Sequence, residues 1–327
     1  NEFDFIRFIL ASLVVSQHCS EIFRVDNFLN FNSIPAVPIF IFISGIFISE
    51  SFIFSESKKS YFIKRIRRIL PAYIFIVIFG GLLVYLTNIF INDFKFLSIF
   101  YLLKYYIFNL LFLNFKFPCI ENLNSINNIN DCAVNGSLWT IKFEILFYLT
   151  LPLLMFFGKI HKKRFFYFIT IISLLILGIF NNISIYLEIL LCFLIGVGFS
   201  MTRESWSSFL KNKKINSYFR LIIVLTLIIL SGGIFPLFII LPLLLLASFL
   251  PTVDNSKDLR ISKYGDLSYG IYLIHYPIIR ILDYSKISEI SSKYFLMTSV
   301  YLLSIIGAFF LYWIFERKFL NKNSYYF

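Results

Sequence analysis

The chain has 327 residues, 59% of them hydrophobic and 43 of them phenylalanine, with a mean hydropathy of +0.81. No soluble domain of that length needs so much apolar surface, so a soluble enzyme or adaptor is excluded and a multi-pass, all-α membrane protein is expected. The net charge of +12 does not indicate a nucleic-acid binder, because the basic residues lie between the apolar runs rather than in one domain.

Ten spans are predicted, at 3–23, 35–54, 69–91, 138–157, 165–181, 183–200, 219–232, 234–250, 267–283 and 295–315. The first contains "FDFIRFILASLVVSQH", too long for the apolar core of a signal peptide and without a small-residue cleavage site, so it reads as a retained helix. Its Arg7 and His18 are eleven residues apart. That separation is three helical turns plus about 20°, which puts both on one face, about 16 Å apart along the axis. Ahead of the third span, "YFIKRIRRILPAY" (61–73) carries Arg65, Arg67 and Arg68. Such a cluster reads either as a positive-inside anchor or as an anion site, since several planar guanidinium forks suit a polyphosphorylated ligand.

The stretch 98–115 is apolar but does not fit the span count, and reads as interfacial or re-entrant. It leads into a polar loop, 116–137, where Cys119 and Cys132 flank an Asn-rich segment and pair in a disulfide if the loop is extracytoplasmic. The four cysteines fit no zinc pattern, and no metal is expected. Of the 30 Lys and Arg residues, 22 fall in segments that are cytoplasmic if the N-terminus is inside, against six in the outer loops. That bias predicts that both termini are cytoplasmic. A single membrane domain over 1–327 is expected, with no fused extracytoplasmic domain.

Ionisable groups within apolar spans are functional suspects. They are His18, Lys142, Glu144, Glu188, His275, Arg280 and Asp283, with Asp4, Arg7 and Glu316 at the inner edges. Arg280 and Asp283, three residues apart, read as a structural pair. Glu188 reads as solvated, Lys142 as snorkelling, and Arg7 as a headgroup anchor partnered by Asp4 or as part of a site with His18. His275 reads equally as a packing histidine or a site residue. Cys19 is adjacent to His18 but about 100° around the helix, which disfavours an acyl-cysteine route.

These motifs together resemble the acyltransferase-3 family of bacterial membrane proteins, which includes O-antigen and capsule O-acetyltransferases. The opening stretch resembles the family's arginine-ten residues-histidine motif, and "VPIFIFISGIFIS" (37–49) its second-span stretch ending in Ser-Gly, here Ser44 and Gly45. "KRIRRILPAY" (64–73) is similar to its basic loop. "GSLWTIKFEILFYLTLPLL" (136–154) resembles its Leu-Trp-Ser motif, with Thr140 where serine is usual. "YGDLSYGIYLIHYPI" (264–278) and "FERKF" (315–319) resemble its two closing motifs.

The resemblance implies about ten spans, both ends cytoplasmic, and transfer of an acyl group, most often acetyl, from cytoplasmic acyl-CoA to a hydroxyl of a cell-surface or lipid-linked glycan. It implies CoA phosphates held by Arg65, Arg67 and Arg68 with Arg7, and His18 as general base. Glu144 would orient the imidazole or the sugar, and Asp4, Ser44, Trp139, Tyr148, Tyr269 and His275 would line the pocket. Acetyl-CoA is then a cosubstrate, and the setting is the bacterial inner membrane and its lipids. Two rivals stand beside this reading: a transporter or flippase for a glycan or lipid intermediate, and an envelope scaffold.

Overall fold

A computed structural model describes residues 2–24, 36–92, 98–114, 116–120, 133–179, 184–210, 267–285, 287 and 291–317. All regular elements among them are helices, apart from one isolated antiparallel bridge between Cys119 and Ala133. In chain order these are α1 (Glu2–Phe23), α2 (Ala36–Ile53), α3 (Lys58–Phe75), α4 (Gly81–Asn92) and α5 (Ser98–Leu110). They continue as α6 (Ile141–Ile179), α7 (Ile185–Leu210), α8 (Leu267–Tyr284) and α9 (Lys293–Leu311).

Six helices are long and apolar enough to cross a membrane: Asp4–Phe23, Ala36–Ile53, Lys58–Thr87, Gly136–Lys159, Ile185–Thr202 and Lys293–Phe315. They coincide with six of the ten expected spans. Two others, 219–232 and 234–250, lie outside the described residues. The expected span 267–283 forms α8, whose polar side chains turn inward: His275, Arg280 and Asp283 are all fully buried. The helix at 98–110 has 13 residues, well short of the roughly 20 that cross a bilayer core.

Two differences from the expected spans have clear causes. The third expected span covers 69–91, yet the chain is helical from Lys58 to Asn92, with a π-helical segment at Ile76–Gly80 joining α3 to α4. The basic cluster therefore lies in the third turn of that helix. The fourth and fifth expected spans lie in one unbroken helical run, Ile141–Ile179. That run is not straight. Residues eight apart on a straight helix are about 12 Å apart along the axis, but the Phe157 and Phe165 ring centroids are 6.4 Å apart. The Phe166 ring also lies so close to Gly158 that a Cβ there would collide with it. The run therefore bends around 158–165, the basic stretch expected as a connection.

The tightest packing joins α2 to α7. A Cβ on Gly45 would sit 2.6 Å from the Phe193 carbonyl oxygen and 3.2 Å from the Gly196 Cα, so the two backbones approach as only glycine permits. On α1, Ile6, Leu10 and Val14 face the large core built with α2, α3, α6 and α7. Ala11, Val15, Cys19 and Ile22 face a second cluster with α8 and α9. At 100° per residue those two faces are adjacent, and Arg7 and His18 fall on the narrow strip between them. The seam of the bundle therefore runs along the stripe read from the sequence.

Candidate functional site

His18 emerges from that seam against α8. Its ring stacks on His275 at a centroid distance of 5.4 Å and an interplanar angle of 22°, and meets Tyr276 edge-on at 5.1 Å. Nδ1 of His18 lies 3.2 Å from Oε2 of Glu21. Glu21 is thus the carboxylate beside the imidazole, while Glu144, expected to orient the imidazole or the sugar, accepts a 2.6 Å hydrogen bond from the Tyr148 hydroxyl. The i,i+3 spacing that brings Glu21 to His18 is visible in the sequence.

α8 presents its working side chains at three- and four-residue intervals, so Tyr269, Tyr272, His275, Tyr276 and Arg280 share one broad face. The 3₁₀ turn Gly136–Thr140 lies along that face. The Tyr272 hydroxyl is 2.8 Å from the Ser137 carbonyl and 2.7 Å from the Thr140 hydroxyl. Tyr276 packs so closely on Gly136 that a Cβ would meet its ring at 2.6 Å. His275 is fully buried, its Nδ1 3.0 Å from the Ile271 carbonyl. A carbonyl only accepts, so Nδ1 carries the hydrogen and Nε2 is a bare lone pair, without a hydrogen-bond partner. A buried acceptor left unpaired costs about 1–3 kcal/mol.

Pro277 explains how the 3₁₀ turn is tied down. Proline has no N–H for the carbonyl four residues back, and that freed Leu273 carbonyl accepts from Asn135 Nδ2 at 2.9 Å. The other end of the same amide accepts from Ser137 N and Oγ at 3.2 and 2.6 Å, capping the turn. Asn135→Ala removes both ends. It is expected to lower stability by about 1–3 kcal/mol, read as a lower thermal midpoint in detergent.

A second polar group lies about 12 Å further along α6, the rise over eight residues from Thr140 to Tyr148. Arg65 is 5% exposed, with its guanidinium 5.7 Å from the Tyr148 ring centroid and Nη2 on the Ser51 hydroxyl. Tyr61 donates to the Tyr148 carbonyl at 3.3 Å. The three arginines do not act alike. Arg68, three residues from Arg65, stays on its side of the helix, within electrostatic range of Tyr148. Arg67 is two residues away, about 200° around, and exposed. Arg7 rests 5.1 Å over the Phe40 ring, which in turn lies 6.3 Å from Tyr272.

The remaining expected pocket residues are more dispersed. The Tyr269 hydroxyl is taken by the Ile69 carbonyl at 3.1 Å, a strut between α8 and α3. Trp139 meets Phe143 and Tyr186, on the α7 side, with the Lys142 ammonium 5.1 Å from the Phe143 ring. Asp4 and Ser44 are half-buried. Arg280 and Asp283 form the expected pair, 3.6 Å apart and fully buried. Cys119 is disulfide-bonded, while Cys19 and Cys192 are free thiols. Cys132 lies outside the described residues, and the side chain of Glu316 is likewise not described. Among the described residues no three His, Cys, Asp or Glu side chains gather as a metal site.

Chemically, a pair of imidazoles with committed Nδ1 atoms can take a proton from a hydroxyl brought beside them. The arginine-tyrosine group about two turns further along α6 offers positive charge for an anion. The family model described as "Acyltransferase domain" matches residues 1–317. "Nodulation protein 10" of Rhizobium leguminosarum bv. viciae is 32% identical over 163 residues, 47% of this chain and 44% of that protein. The matched part thus spans less than half the length of that relative. No solved structure matches the chain.

Proposed function

Since the chain belongs to the acyltransferase-3 family, we propose that it transfers an acyl group, acetyl in the first instance, from acyl-CoA to a glycan hydroxyl. The setting is the inner membrane of a bacterium. The observation that carries this reading is the placement of His18: it stands on the α1 seam with Arg7, anchored by Glu21 and stacked on His275.

In this mechanism His18 Nε2 takes the proton as the acceptor O–H bond breaks and the oxygen bonds to the thioester carbon. The C–S bond then breaks, and the thiolate takes the proton from the imidazolium and leaves as the free thiol. A sugar hydroxyl is a poor nucleophile at neutral pH, so a positioned base contributes about 10²–10⁴-fold. Arg67 and Arg68, the more accessible of the cluster, engage CoA phosphates, while Arg65 holds the helix to Ser51 and Tyr148. The joint variant Arg67→Ala/Arg68→Ala is expected to raise the KM for acetyl-CoA about tenfold or more, with kcat nearly unchanged. Steady-state kinetics on membranes check that split.

The deciding experiment supplies membranes containing the chain with labelled acetyl-CoA and a glycan-bearing envelope fraction. Release of free CoA together with label on the glycan supports the proposal. Movement of glycan or lipid across the membrane without CoA release refutes it in favour of a transporter.

A further inference from the structure

This inference rests on the reading of His18 as the base and asks what makes its Nε2, rather than Nδ1, the basic atom. A free imidazole exchanges its hydrogen between two nitrogens. Glu21 Oε2 lies 3.2 Å from Nδ1, and its other oxygen accepts from Gln17 Nε2 at 3.1 Å. The three residues sit within one turn and a half of α1, at i,i+3 and i,i+4 spacing, so the carboxylate is held at both ends by its own helix. Its side chain is 48% exposed and that of His18 is 20% exposed. The pair therefore stands at the rim of the bundle, not in its sealed core.

We propose that Glu21 is the positioning residue of His18: its carboxylate accepts Nδ1–H and thereby fixes the tautomer that leaves the Nε2 lone pair as the base. An ionised carboxylate has no hydrogen to give, so the hydrogen between them belongs to Nδ1. Nε2 lies on the other side of the ring from Glu21. The α8 groups that meet the ring are His275, stacked on its face, and Tyr276, edge to face with it. His275 has spent its one hydrogen on the Ile271 carbonyl, so its Nε2 cannot donate to His18 and quench it. The His18 lone pair is thus left for a hydroxyl supplied by substrate. As the proton arrives, the same carboxylate stabilises the imidazolium without moving.

The test reads the tautomer directly and does not depend on turnover. The chain has three histidines, His18, His161 and His275, so nitrogen-15 NMR of histidine-labelled protein in detergent micelles is simple to assign, with His18→Ala locating the His18 signals. At about pH 9, where ordinary imidazoles are neutral, the wild type should show His18 as Nδ1–H. Glu21→Leu should move it toward Nε2–H, the form that cannot act as base. Glu21→Gln keeps an acceptor oxygen and should hold the Nδ1–H form.

In turnover with acetyl-CoA, Glu21→Leu is expected to lose about 100-fold in kcat with KM within twofold, and Glu21→Gln about tenfold. A wild type in the Nε2–H form, or no change of tautomer in Glu21→Leu, overturns the proposal. A tautomer that switches as expected while kcat is unchanged leaves Glu21 as the positioning residue but removes His18 as the base, which separates the two claims.

Discussion

His18→Ala is expected to lower acyl transfer by about a thousandfold, while the protein remains folded in the membrane. The large effect on rate follows from the absence of a substitute. His275 is the nearest other imidazole, but it is fully buried, with Nδ1 committed to the Ile271 carbonyl. Tyr276 meets His18 edge-on as a ring, and its hydroxyl is a far weaker base. The small effect on stability follows from the setting of His18. Its side chain is partly exposed, and its one described hydrogen bond goes to a carboxylate that is half exposed. Truncation at such a site costs about 1 kcal/mol or less. Initial rates of CoA release, normalised to folded protein recovered by size exclusion in detergent, check both halves. Activity within tenfold of wild type at normal protein level would remove His18 from the chemistry.

The legible part of this site was local and periodic. The Arg7–His18 stripe follows from 100° per residue, and it coincides with the seam between the two faces of α1 that the packing reveals. The same arithmetic separates Arg67 from Arg65 and Arg68, and it places Glu21 beside His18. Both facts are legible in the residue spacing, although the arginines read first as one cluster. The partners that complete the site were not available. His18 meets His275 across 257 positions and Tyr272 meets Thr140 across 132, and only tertiary packing sets those pairs. Glu144 illustrates the difficulty: its motif marked it as important, yet its bond runs one turn along its own helix to Tyr148. The α6 bend is a similar case. The basic stretch marked a change of direction, but helical hydrogen bonding runs through it, so a boundary expected as a loop appears as a bend.

Removing one partner of the Arg280–Asp283 pair is expected to be the most destabilising single change at the loop end of α8. Both side chains are fully buried, three residues apart on one helix. Asp283→Ala leaves a guanidinium enclosed by the Tyr276 and Tyr284 rings at 6.0 and 5.1 Å, and Arg280→Ala leaves a buried carboxylate without that cation. Either loss is expected to cost about 3–5 kcal/mol, because an uncompensated charge stays in a medium that cannot hydrate it. The joint variant Arg280→Met/Asp283→Leu removes both charges at similar volume and is expected to recover most of that loss. It should not recover all of it, because Arg280 Nε also donates to the Ala133 carbonyl at 2.8 Å, worth about 1 kcal/mol. That bond fastens the chain just before Asn135 and the 3₁₀ turn on which Tyr272 and Tyr276 rest. The single variants should therefore lose activity together with stability, and the joint variant should regain stability first. Thermal midpoints in detergent beside acetyl-CoA turnover measure the two separately. Single variants as stable as wild type, or a joint variant no better than either single one, would show that the pair does not hold α8 against this segment.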